Sequence, residues 1–150
     1  MKIKIICVGK IKEGYLVEGI ADFIRQIQKK MPVEVMELPD EKTPQGASEV
    51  LEERIRDIEG KRILEKLTPA DYVFALCIEG KQWSTPQLQK KLLQLEGEGK
   101  ESVAFIIGGS LGLSREVVIR AKEKISFSTM TFPHQLMRLI LVEQLADILA

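Results

Sequence analysis

Val103-Ala104-Phe105-Ile106-Ile107-Gly108-Gly109-Ser110-Leu111-Gly112-Leu113-Ser114 is the stretch that decides the fold. An apolar run with no polar alternate runs straight into a glycine-rich loop. A strand of that kind is buried on both faces, as at the centre of a parallel sheet. The loop ends in Ser114, a residue type that caps helices, so the stretch predicts strand, loop and helix in succession. Tyr72-Val73-Phe74-Ala75-Leu76-Cys77-Ile78 is a second run of the same kind. Between the two runs, Ser84 and Pro86 mark the start of a helix expected over residues 85–96.

Working outward, residues 3–8 form a β-rich run closed by Gly9, and residues 33–38 form a shorter one. Leu16, Ile20, Phe23, Ile24 and Ile27 are spaced as the stripe of a helix over 13–30, which Met31-Pro32 stops. A second helix is expected over 47–67, with Gly60 as a weak point in it. A short helix over 114–122, a last strand over 125–130 and a helix from about Pro133 to the end complete the chain. Strict β-α alternation argues for an α/β fold with a parallel sheet and helices on both faces. Ligands of such sheets sit beyond the carboxyl ends of the strands.

The length of 150 residues suits a single domain, 1–150, and 45% hydrophobic with 29% charged residues is ordinary globular composition. A formal net charge of +0 gives no overall electrostatic pull on nucleic acid, though a local patch would suffice to bind it. Cys7 and Cys77 lie far apart among apolar neighbours and read as reduced core thiols. No apolar run approaches the roughly 18 residues that span a membrane, and no small-residue cleavage site follows the opening run. A cytoplasmic protein without a membrane partner is expected.

Three loops are placed to carry chemistry: 79–84, 108–114 and 131–134. The glycine loop is not a dinucleotide motif, because Ser110 stands where Gly-x-Gly-x-x-Gly needs its second glycine. No Gly-Lys-Ser/Thr closes it as a phosphate-binding loop. A ligand held by backbone contacts and carrying no phosphate fits better. His134, the only histidine, is either an acid, base or substrate ligand, or a residue bonded to the backbone at a helix start. One histidine and two cysteines cannot supply a tetrahedral zinc set, so no metal is expected. Trp83 either stacks on a base or covers the core. The last helix is apolar nearly all round, which asks for a partner subunit as cover. In that helix Arg138 and Glu143 either pair, contact ligand, or reach solvent. Lys10, Lys12, Lys81, Arg115 and Arg120 either gather at the site edge to meet phosphates or lie on solvated faces.

Taken together, Ile106 to Leu113, Ser126 to Arg138 and Leu141-Val142-Glu143-Gln144 resemble the ribosomal RNA large subunit methyltransferase H family. The resemblance extends to Val8-Gly9-Lys10 and Ile78-Glu79-Gly80-Lys81 and so covers nearly the whole chain. It implies a SPOUT-class α/β fold with a C-terminal trefoil knot. It implies S-adenosylmethionine as cofactor, contacted by Leu76, Gly108, Phe127, Ser128, Thr129, Met130, Thr131 and Phe132. It implies a homodimer that methylates N3 of a pseudouridine in 23S rRNA of the assembled ribosome. Direct displacement at nitrogen needs the N3 proton removed, which nominates His134 as base and Arg138 as a stabiliser of negative charge. Family members continue past Glu-Gln with a Tyr-Arg-Ala-like segment and end in Tyr-His-Lys, whereas Gln144 here is followed by Leu145-Ala146-Asp147-Ile148-Leu149-Ala150. That departure keeps a second reading open: a SPOUT-like module that binds S-adenosylmethionine or RNA without turnover. A flavodoxin-like nucleotide enzyme is a third, opposed by the missing phosphate signature.

Overall fold

The alternating pattern is realised as ten elements in a computed structural model that describes residues 1–150. They are β1 Lys2–Val8, α1 Gly14–Gln28, β2 Val33–Leu38, α2 Glu49–Leu64 and β3 Asp71–Gln82, followed by α3 Thr85–Gly97, β4 Ser102–Ile107, α4 Arg115–Arg120, β5 Glu123–Ser126 and α5 His134–Ile148. The strands form one sheet in the order β2-β1-β4-β3-β5, and every neighbouring pair is parallel. All five carboxyl ends therefore point to the same edge.

Alternation within the buried strands sorts the core into two layers. Ile3, Ile5 and Cys7 of β1, Phe74 and Leu76 of β3, and Val103, Phe105 and Ile107 of β4 face one side, under α1, α3 and α5. Ile6, Val8, Val73, Ala75, Ala104 and Ile106 face the other, under α2 and α4. A one-residue slip of β3 or β4 would exchange the two sets. The pairing Phe74↔Phe105 and Leu76↔Ile107 sets the register and therefore where both strands end.

Local sequence accounts for the helix starts. Ser84 accepts the Gln87 N–H while the Gln87 side chain accepts the Ser84 N–H, a complete capping box with proline in the first turn. Ser48 and Ser114 cap α2 and α4 in the simpler way, accepting from Leu51 and Val117.

Four expectations change. The strand expected over 125–130 ends at Ser126. The Ser126 hydroxyl donates to the Ser128 carbonyl at 2.7 Å and the Met130 N–H donates to the Ser128 hydroxyl at 3.0 Å, so local bonds replace the ladder and residues 127–132 become a loop. Conversely, the loop expected at 79–84 is partly strand. β3 leaves the ladder at Cys77–Gly80 and rejoins it, with Lys81 pairing to Ile125 and Gln82 to Ser126. The last helix finds much of its cover inside the chain, since α5 packs on α1 and α3 and none of its apolar residues is exposed. Finally, Gly60 is a packing device rather than a weak point. A Cβ there would lie 2.3 Å from the Ser114 hydroxyl oxygen, so only glycine lets α2 seat against the start of α4. No helix is long and apolar enough to cross a membrane.

Gly60→Ala gains helix propensity but forces these two helices apart. We expect a net loss of about 1–3 kcal/mol, read as a lower urea midpoint with an unchanged slope.

Candidate active site

Where β3 breaks its pairing and β4 and β5 end, the sheet edge opens into a cleft of about 790 Å³, within the size range of pockets for small organic ligands. Three chain segments wall it. The first is the excursion of β3, Leu76 to Glu79; the second is Ile107 to Leu113 after β4; the third runs through Ile125–Ser128 and Met130–His134. Met137 of α5, Val118 of α4 and Arg56 of α2 complete the lining.

Glycines shape two of these walls. At Gly108 an added Cβ would meet the Gly112 carbonyl group at 2.9 Å, so the loop folds tightly back on itself. Gly112 closes that fold with a φ of +84°, a left-handed conformation that glycine adopts without strain. Gly80 seats the β3 excursion directly on the backbone of Lys124 and Ile125, where a Cβ would come within 2.8 Å. The cleft is thus walled by tightly folded glycine-containing segments together with apolar side chains. Its ionisable lining residues are Arg56, Cys77, Glu79 and His134, which is not a set built for a polyphosphate.

His134 is the first residue of α5, beside Gly9 at the end of β1, where its Nε2 lies 3.8 Å from the position of a Cβ on Gly9. It does not cap the helix; α5 has no side-chain cap. Burial, reinforced by the Arg138 guanidinium, pushes the imidazole below its ordinary pKa, while Asp40 pulls in the opposite direction. The N-terminal end of α5 acts in the same sense as Arg138. A neutral imidazole at the cleft wall is an available proton acceptor.

Of the residues nominated by the sequence, Leu76, Gly108, Phe127, Ser128, Met130, Thr131, Phe132 and His134 all line the cleft. Thr129 belongs to the same loop but is exposed and outside the lining. Arg138 is buried and also outside it. Its guanidinium pairs with Glu37 at the end of β2 and donates to the Gly9 carbonyl at 3.0 Å. Trp83 packs edge-on against Phe74, ring centroids 5.8 Å apart, and so covers the core. Cys77, expected in the core, is half-buried in the cleft wall because it opens the β3 excursion. Lys10, Lys12, Lys81 and Arg115 are exposed and do not line the cleft. Arg120 donates to the carbonyls of Thr68 and Asp71, at the opposite edge of the sheet.

Residues 1–146 match the family described as "Predicted SPOUT methyltransferase". The chain belongs to the SPOUT methyltransferase family. It is 54% identical over 145 residues to ribosomal RNA large subunit methyltransferase H of Streptococcus thermophilus strain CNRZ 1066, covering 97% of this chain and 91% of that relative. Proteins of the same name from Bacillus cytotoxicus and Enterococcus faecalis are 51% and 46% identical over the same shares. Within this SPOUT chain, sequence reasoning overlooked Arg56 as a wall of the cleft. Nothing in the α2 pattern marks it, because only the packing of α2 against α4 brings that face to the glycine loop.

An NMR titration of the His134 ring should give a midpoint below that of a free imidazole, and Asp40→Asn should lower it further by removing the opposing charge. The folded state holds this proton less tightly than the unfolded chain. His134 therefore contributes its full stability above the ordinary imidazole pKa and loses it as the pH falls from there through its lower folded pKa.

Proposed function

We propose that the chain is an S-adenosylmethionine-dependent methyltransferase acting on N3 of a pseudouridine in 23S rRNA of the assembled ribosome. On this reading, residues 1–150 are one SPOUT domain with the family's C-terminal trefoil knot, working as a homodimer in the cytoplasm. The observation that carries it is a cleft at the strand ends walled by the tightly folded glycine loop and apolar side chains, without a phosphate-binding loop. Such a surface suits a nucleoside joined to an amino acid. The relatives named above supply the ribosomal RNA.

Bound S-adenosylmethionine supplies an electrophilic methyl group, so the protein's task is to position it and to manage one proton. Leu76, Gly108 and residues 127–132 would hold the cofactor, with Thr129 contributing through the loop's backbone. His134, held neutral by its surroundings, would accept the N3 proton. Arg138 stands one turn further along α5, where it keeps positive charge behind His134 and favours a developing anion. Exposed Ile78 and Met130 at the cleft rim give a second subunit apolar surface to cover.

The test pairs calorimetry of S-adenosylmethionine binding with methyl transfer to ribosomes that lack the modification, read by mass spectrometry of 23S rRNA fragments. Binding and transfer to a pseudouridine are expected. Binding without transfer would favour the non-catalytic module, and no binding would end the reading. His134→Ala should lower turnover by roughly 10²–10⁴-fold while cofactor affinity stays within about threefold.

A further inference from the structure

Glu59 is a buried carboxylate that the proposed chemistry does not use. It lies on α2, 4% exposed, beneath the glycine loop. Its Oε2 accepts the Glu41 N–H at 2.9 Å. Its Oε1 lies 3.2 Å from where a Cβ on Gly109 would stand. One side chain is therefore hydrogen-bonded to the loop after β2 and lies beneath the loop after β4. The next residue, Gly60, seats α2 against Ser114 at the far end of the glycine loop. Arg62, one turn further on, donates to the Pro39 carbonyl at 2.9 Å and pairs with Glu41. The loop so held carries Asp40, whose charge His134 feels. A carboxylate at such depth is costly, and burial pushes this one above the usual range despite the Glu41 N–H and the Arg62 charge, which act the other way. A group kept at that cost beside a ligand-facing loop invites a positional explanation.

We propose that Glu59 is a positioning residue: it braces the Gly108–Gly112 loop from behind and ties it to the Pro39–Glu41 loop, so that the cofactor wall and the segment facing His134 keep one arrangement. This rests on the glycine loop being a wall of the S-adenosylmethionine site. Removing the brace leaves the Glu41 N–H unpaired and a void under Gly109. The loop then samples arrangements that do not fit the cofactor, which weakens binding more than it slows the step that follows.

The experiment measures KM for S-adenosylmethionine and kcat on ribosomes, with calorimetry of the cofactor alone, for the full chain and its variants. Glu59→Ala should raise KM and the dissociation constant about tenfold with kcat within about threefold, and Glu59→Gln, which keeps volume and an acceptor, should recover most of the loss. Unchanged KM in Glu59→Ala, a fall in kcat alone, or Glu59→Gln as impaired as Glu59→Ala would each overturn the proposal. Where Glu59→Ala does not fold, Gly109→Ala tests the same contact from the loop side. Its methyl group would stand 3.2 Å from both Glu59 Oε1 and Val8, so an unchanged KM there would also overturn it. If the unaltered protein binds no S-adenosylmethionine, the functional reading fails and this inference with it. If it binds and Glu59→Ala binds equally well, only this inference fails.

Discussion

Phe74 and Phe105 face one another across the central strand pair, their rings stacked with centroids 4.9 Å apart and planes within 19°. Both are fully buried. Aromatic pairs of this kind contribute about 0.5–1.5 kcal/mol beyond the area they bury, but their larger effect here is on register. With Phe74 opposite Phe105, Leu76 falls opposite Ile107, and the pairing of these two strands stops at the same level of the sheet edge. Two of the three walls of the cleft begin at Leu76 and Ile107. A shift of one position would turn the apolar sets of both strands to the wrong layers and carry the two loops out of alignment.

Beyond that pair, the chain gives up regular pairing in places where the backbone is then open to a ligand. β3 detours through Cys77–Gly80 and returns only because Gly80 can lie on the backbone of Ile125. β4 gives way to the folded glycine loop. β5 is cut short by the hydroxyls of Ser126 and Ser128, which take over bonds that a longer strand would have made. These interruptions are adjacent because β4, β3 and β5 are neighbours in a parallel sheet. Further along the same edge, Arg138 ties α5 to the ends of β1 and β2, which sets the start of that helix and with it His134.

The architecture was legible because it rests on period. Continuous apolar runs at 72–78 and 103–107, helical stripes between them and serines at the helix starts all point to a parallel α/β sheet. The cleft was legible for a related reason: its loops follow strand ends, and residues 126–138 resemble a known family. What sequence did not reveal depends on contacts between distant elements. Gly60 looked like a flaw in a helix because Ser114, which it accommodates, lies far along the chain. Arg56 and Glu59 looked like two more charges on a mixed helix, and only the seating of α2 shows one at the cleft wall and the other under the glycine loop. Residues 127–130 resembled strand because their side chains suit one; the competing serine bonds are a matter of geometry. The nearly apolar last helix suggested a partner subunit, yet α1 and α3 already cover much of it.

The central claim is that the backbone at these three strand ends forms one binding surface for S-adenosylmethionine. The most direct test is a crystal structure of the chain grown with that ligand. The account predicts density in the cleft, in contact with Leu76, Gly108 and the 127–132 loop, with the sulfonium methyl group exposed toward His134. Density at another edge of the sheet, or an empty cleft at saturating ligand, would contradict it.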